Sequence, residues 1–302
     1  MTEEATGLPA EVEESGELSS AMERLPRPPR FVLGRVPVDR ISMEYAAVLV
    51  TEALLHRGAW APLTIVGPNA HLVTLAERDA RFANAMQNAD LAVPDGISVV
   101  MASRVLGQPI PERVTGGDLM ERLCREAARY GFKVFFLGGL PGAARMAAFN
   151  LRQRYPGLNI CGTYCPPLGF ENDPAEQERI MTAIEKDAPD LLCVAFGAPK
   201  QEIWMQQNRN RLRVGAILPV GAAFDTQAGL RRRAPLWMQR WALEWFFRLL
   251  AEPRRLGRRY LAGNTHFILL VLRQWTRQML ERAHERVADI AGPQEPAAHE
   301  GD

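Results

Sequence analysis

From residue 31 to about residue 227, short apolar runs alternate with stretches of helical spacing, and this alternation constrains the fold more than anything else in the chain. Leu63–Val66, Leu91–Val93, Lys133–Leu137, Asn159–Thr163, Leu191–Phe196 and Ala216–Val220 read as strands, and Phe31–Val38 as one further short strand. Between them, Met43–His56, His71–Asn88, the residues up to Leu106, Gly117–Arg129, the stretch ending at Arg154, Asp173–Lys186 and the stretch ending at Arg209 carry helical patterns. Apolar strands joined by helices of such length pair in parallel and are covered on both faces. The expected class is therefore α/β, a mostly parallel sheet with helices on both sides. No fixed-period repeat interrupts it. Beyond Pro235 the alternation stops, and Leu236–Leu250 and Pro253 to about Ala283 read as helices rich in arginine and tryptophan.

Hydrophobic residues make up 47% of the 302, enough for a sizeable core and too many for global disorder. The formal net charge of +1 identifies no partner, but its distribution is uneven. Residues 1–30 are acidic and proline-bearing, without an apolar run of signal-peptide length, and are expected to be a disordered tail. Between Arg231 and Arg259 there are nine arginines and two glutamates. The expected organisation is a tail over 1–30, an α/β domain over 31–230, a basic helical appendage over 231–283 and a second tail over 284–302. The apolar run Phe267–Leu272 is too short to span a bilayer, so the expected location is the cytoplasm. Cys124, Cys161, Cys165 and Cys193 complete no zinc-type spacing and read as reduced structural thiols.

Chemistry-bearing residues follow the strand-like runs. Asp95, between Pro94 and Gly96 at a strand end, is either a general base in a crevice or the N-cap of the helix that follows. The loop Gly138–Gly142 suits a phosphate at a helix start, or is an ordinary strand–helix turn. Its spacing is not the dinucleotide fingerprint, and no ribose-binding acid follows before Phe170, which argues against a nicotinamide-dependent dehydrogenase. Lys200-Gln201-Glu202 can grip hydroxyls or a diphosphate, or be a solvated helix start. Glu112-Arg113 offers a charge to a leaving phosphate, or a surface ion pair. The arginine helices, interleaved with Trp237, Trp241, Trp245, Phe246 and Phe247, have three readings: a membrane-surface segment, a nucleic-acid patch, or a solvated face over a buried aromatic stripe. No Asp-x-Asp occurs, so a diphosphate would be neutralised by arginines and helix N-termini.

Several ordered motifs resemble one family over about Phe31–Asn264: Pro68-Asn69, Pro94-Asp95-Gly96, Glu112-Arg113-Val114 with Gly116 and Asp118, and Phe136-Leu137-Gly138-Gly139. Gly197-x-Pro199-Lys200-Gln201-Glu202, Gly221-Ala222-Ala223-Phe224-Asp225, Arg233-Ala234-Pro235, Glu244-Trp245, Arg248-Leu249, Glu252-Pro253 and Arg258-Arg259-Tyr260 continue the series. Together they resemble the WecG/TagA/CpsF glycosyltransferases, glycosyltransferase family 26. The resemblance implies a Rossmann-like sheet with a C-terminal helical appendage. It further implies inverting, metal-independent transfer from a UDP-sugar to a polyprenyl-diphosphate-linked sugar at the inner face of the plasma membrane. The donor is expected to be of N-acetylmannosamine, N-acetylmannosaminuronate or glucose type, with no cofactor and no nucleic acid involved, and homo-oligomerisation is left open. By resemblance Asp95 is the base, and Asn69, Arg113 and Gln201 line the site. Pro68, Gly96, Gly116, Asp118, Gly138, Gly139, Lys200, Gly221, Phe224 and Asp225 stand at the expected substrate-binding positions. Arg231, Arg233, Arg248, Arg255 and Arg258 are the expected arginines for membrane or leaving group. Where the family usually carries threonine, two residues before Asn69, this chain has Gly67, so its sugar specificity is expected to differ. The rival from another class is a non-catalytic membrane-surface assembly module on the same fold.

Overall fold

The computed structural model describes residues 26–57, 61–232, 234–235, 237–238, 244–251 and 253–291; from residue 244 on, the side chains described are those of 246, 247, 249, 250 and 263–286. The chain opens with a hairpin, β1 (Arg30–Leu33) and β2 (Val36–Asp39), paired antiparallel with Leu33 opposite Val36. What reads as one strand from Phe31 to Val38 is thus two. Gly34, at φ +60°, occupies the first position of the two-residue turn, where a type II′ turn takes glycine.

The alternation then proceeds: α1 (Met43–Leu55), β3 (Leu63–Val66), α2 (Ala70–Ala76), α3 (Ala80–Gln87), β4 (Leu91–Ala92), α4 (Ile97–Val105) and α5 (Gly116–Tyr130). It continues with β5 (Lys133–Gly138), α6 (Ala143–Arg154), β6 (Asn159–Tyr164), a 3-10 turn at Phe170–Asn172, α7 (Pro174–Asp187), β7 (Leu191–Ala195), α8 (Lys200–Asn208), β8 (Ala216–Pro219) and α9 (Ala223–Gln227). Strands β3 to β8 form one sheet in the order β4-β3-β8-β7-β5-β6, and every pairing in it is parallel. Among the described residues two C-terminal helices follow, α10 (Glu244–Ala251) and α11 (Pro253–Ala291). The expected α/β class with helices on both faces and a helical C-terminus is what the chain adopts.

Side chains that alternate along the strands divide the core. Ile65, Val134, Phe136, Cys193 and Leu218 pack with α1, α5 and α6 on one face. Val66 and Ala92 turn the other way, to the hairpin, α2, α3, α4 and α11, while Phe135, Leu137, Leu192 and Val194 meet α7 and α8. Both faces are apolar because both are covered. The hairpin anchors the sheet edge: buried Asp39 receives Arg30 Nε at 2.6 Å and the backbone N–H of Ala92 at 2.7 Å. It also holds α11, since Gly34 N donates to Gln274 Oε1 at 3.1 Å and Gln274 Nε2 donates to Val32 O at 2.7 Å. Phe267 and Val271 complete that contact from α11.

Candidate active site

Parallel strands end at one edge, so the segments after β3, β4, β5, β7 and β8 open on the same side of the sheet. After β3 come Gly67-Pro68-Asn69, and after β4 come Pro94-Asp95-Gly96. The N–H groups of Asp95 and Gly96 both donate to Pro68 O, at 3.0 and 3.2 Å. Val114 N donates to Pro94 O at 2.9 Å, which ties the Arg113 segment to the same junction. Three backbone bonds therefore bring Pro68, Asn69, Asp95 and Arg113 together. Gly96 makes the junction possible, because a Cβ there would lie 2.8 Å from Asn69 Cβ. The capping position of α4 falls on Gly96 and not on Asp95. Asn69 is itself the N-cap of α2, its Oδ1 accepting from Leu72 N at 3.2 Å. A Cβ built on Gly67 would sit 3.3 Å from Asp95 Cβ and 3.7 Å from Asp95 Oδ2, so position 67 faces the Asp95 carboxylate.

A second group forms where β5, β7 and β8 end. Gly138 and Gly139 have φ of +95° and +85°, and a Cβ on Gly138 would meet Ala195 O at 2.8 Å. Gly139 N donates to Ala195 O at 2.9 Å, and Leu140 N to Asp225 Oδ1 at 3.3 Å. Those two amides, which suit a phosphate in the sequence, are committed to the protein. Phe224 is fully buried and stacks on Phe136 with ring centroids 4.5 Å apart. Asp225 also pairs through Oδ2 with Arg231 Nε at 3.2 Å, joining the glycine loop to the start of the C-terminal segment. Phe224 and Asp225 thus support this edge from within. Gly116 lets α5 approach β8, since a Cβ there would lie 2.7 Å from Pro219 O. Thr115 caps α5: the Asp118 N–H donates to Thr115 Oγ1 at 3.1 Å, and the same hydroxyl donates to Asp118 Oδ2 at 2.7 Å. Gly221 turns the chain after β8 at φ +52°.

At the start of α8 the three polar residues separate. Lys200 pairs with Glu171 of the 3-10 turn. Gln201 folds back, Oε1 accepting from Gly197 N at 3.1 Å while Nε2 donates to Glu202 Oε1 at 2.8 Å. Glu202 is 2% exposed, its Oε2 has no hydrogen-bond partner, and burial pushes its carboxyl up to about 7. The sequence shows Glu202 only as a motif residue. Its local signal is the apolar stretch Ile203-Trp204-Met205 directly after it, of which Trp204 and Met205 are buried. Glu112, read beside Arg113 as an ion-pair residue, receives Met43 N at 2.7 Å on its Oε1.

Of the C-terminal arginines, Arg233 and the side chains of Arg248, Arg255 and Arg258 lie outside the described residues. Apolar side chains here are divided: Phe267 and Val271 are buried, whereas Trp237, Phe246, Ile268, Leu272, Trp275 and Met279 are exposed. Among the described residues no helix is long and apolar enough to cross a membrane. No group of three or more His, Cys, Asp or Glu with metal-site geometry occurs among them either. The thiols of Cys124 and Cys161 are pushed up, to about 12 and about 11, chiefly by burial, as structural cysteines are.

The family described as "Glycosyl transferase WecG/TagA/CpsF family" matches residues 31–281. The chain is 32% identical over 191 residues to an N-acetylglucosaminyldiphosphoundecaprenol N-acetyl-β-D-mannosaminyltransferase of Bacillus spizizenii, a match covering 63% of this chain and 72% of that protein. It is also 32% identical over 196 residues to a Staphylococcus aureus protein of the same name, covering 65% and 75% of the two chains.

Proposed function

This chain belongs to the WecG/TagA/CpsF family of glycosyl transferases, and we propose that it transfers a sugar from a UDP-sugar to a polyprenyl-diphosphate-linked sugar, with inversion and without a metal. The names of the relatives favour N-acetylmannosamine as the sugar and N-acetylglucosaminyl-diphospho-undecaprenol as the acceptor. They also denote a β-linked product, and forming that from an α-linked nucleotide sugar is an inversion. The observation that carries the reading is the junction of the segments that bear Asn69, Asp95 and Arg113, held by three backbone hydrogen bonds.

Inverting transfer needs one base. Asp95 takes the proton of the acceptor hydroxyl as that oxygen bonds to the anomeric carbon from one face. The bond to UDP breaks on the opposite face, and UDP leaves with the electron pair. A glycosidase would require a pair of carboxylates about the bond. Asn69 Nδ2, the part of that side chain not used in capping α2, is a donor to substrate hydroxyls. Arg113 is the fixed positive charge for the departing diphosphate, where preorganised donors act most strongly. Gln201 adds an amide from the β7 side. With Gly139 N and Leu140 N committed, arginines take the larger part of the leaving-group charge. The exposed apolar side chains of the C-terminal helices, in a segment rich in arginine, support peripheral association with the membrane that holds the acceptor.

The reading is tested by UDP release from a panel of UDP-sugars, with chelator present and a short-chain polyprenyl-diphosphate N-acetylglucosamine as acceptor. Acceptor-dependent release with UDP-N-acetylmannosamine is the expected result. Release that needs a divalent metal, or that ignores the acceptor, would overturn the corresponding part of the proposal.

A further inference from the structure

We propose that Glu202 is a positioning residue for sugar transfer, holding the side-chain amide of Gln201 in the one orientation that presents a donor to substrate. The inference rests on the reading of Gln201 as a site residue. A side-chain amide has two ends of similar size and different chemistry. Here both ends are fixed: the oxygen by Gly197 N at 3.1 Å, the nitrogen by Glu202 Oε1 at 2.8 Å. Rotating the amide by half a turn would set its NH₂ against the Gly197 N–H and its oxygen against Glu202, breaking both bonds. Glu202 accordingly selects the orientation, and the second Nε2–H remains as Gln201's donor for a sugar hydroxyl or phosphate oxygen.

Besides Gln201, the carboxyl of Glu202 meets its own backbone N–H and no other side chain among the described residues. At 2% exposure its Oε2 has no partner, although buried polar atoms are ordinarily bonded. A half-satisfied buried carboxyl does not help folding, and an apolar side chain of similar size would serve the core at least as well. Lys200, two residues before it on α8, is turned to Glu171 and pairs with that residue instead. What a carboxyl provides at this position and a hydrocarbon does not is an acceptor for Gln201.

The test compares transfer from UDP-N-acetylmannosamine to the short-chain acceptor in wild type, Glu202→Gln, Glu202→Met, Gln201→Ala and the Glu202→Met/Gln201→Ala double variant. Thermal unfolding is recorded for each. Glu202→Gln keeps an oxygen acceptor and is expected to stay within about threefold of wild type. Glu202→Met is expected to fold as stably as wild type yet lose about tenfold in transfer, the scale of one hydrogen bond. In the Gln201→Ala background the same substitution should change transfer by less than about twofold, since it acts only through Gln201. A folded Glu202→Met protein with wild-type transfer, or losses that add in the double variant, would overturn the proposal while leaving Gln201 in the site. Wild-type transfer by Gln201→Ala would remove Gln201 from the site and the proposal with it.

Discussion

Glu202 also couples stability to pH. Burial raises its carboxyl from 4.5 to about 7, so between those values the folded chain keeps a proton that the unfolded chain has released. Stability from this group is complete below pH 4.5 and is lost as pH rises towards 7, a change on the order of 3 kcal/mol. Urea unfolding of wild type and Glu202→Gln at about pH 5 and about pH 8 checks the sign. The variant should gain on wild type at the higher pH, and an unchanged difference between them would contradict the assignment. Gly67 poses the opposite case, a missing side chain. A Cβ 3.3 Å from Asp95 Cβ requires the aspartate to move by a few tenths of an ångström. Gly67→Ala is expected to lower kcat about threefold to tenfold with little change in Tm, because small misplacements of a reacting group slow chemistry steeply. Unchanged kcat would show that Asp95 has room to spare. Neither effect is visible in the sequence. Asp95 stands out there between Pro94 and Gly96, whereas Glu202 is a glutamate in a first helical turn whose burial is hinted at only by the apolar residues that follow it.

At the scale of elements, helix starts build much of the candidate site, and they do so through caps. Asn69 caps α2, and Thr115, bonded in turn to the Asp118 carboxylate, caps α5. The position of Asp118 at a helix start was readable from its spacing, but its commitment to Thr115 depends on rotamers that spacing does not report. Thr115→Ala is expected to lower stability by about 1 kcal/mol through loss of the cap, with transfer largely retained. A loss of transfer much larger than the loss of stability would instead put Asp118 in contact with substrate. The loops divide in the same way. Gly138 and Gly139 were legible as a turn, whereas the acceptors of Gly139 N and Leu140 N, Ala195 O and Asp225 Oδ1, come from distant parts of the chain. The first hairpin is hard to read because only Gly34-Arg35 separates Phe31-Val32-Leu33 from Val36-Pro37-Val38, too short an interruption to tell one strand from two.

Over the whole molecule, the parallel sheet was legible because most of its strands are apolar runs followed by a helical period, β6 with Asn159, Gly162 and Thr163 being the weakest. The strand order was not, since β8 lies between β3 and β7 only through long-range pairing. Parallel pairing brings the turns after β3, β4, β5, β7 and β8 to one edge, and that order decides which of them are neighbours. The C-terminal helices add an arginine-rich, partly apolar surface to this body. Binding of the full chain to anionic vesicles should weaken as salt rises from about 0.05 M to about 0.5 M, as screened charge requires. Salt-insensitive binding, or none, would contradict a peripheral membrane role. The central claim is that Asp95 is the base of an inverting transfer, and the most direct measurement is the transfer rate of Asp95→Asn with UDP-N-acetylmannosamine and the short-chain acceptor. The predicted result is a folded protein that still binds UDP but transfers at least about a hundredfold more slowly, the lower range for removal of a general base. A near-normal rate in that variant would contradict the account.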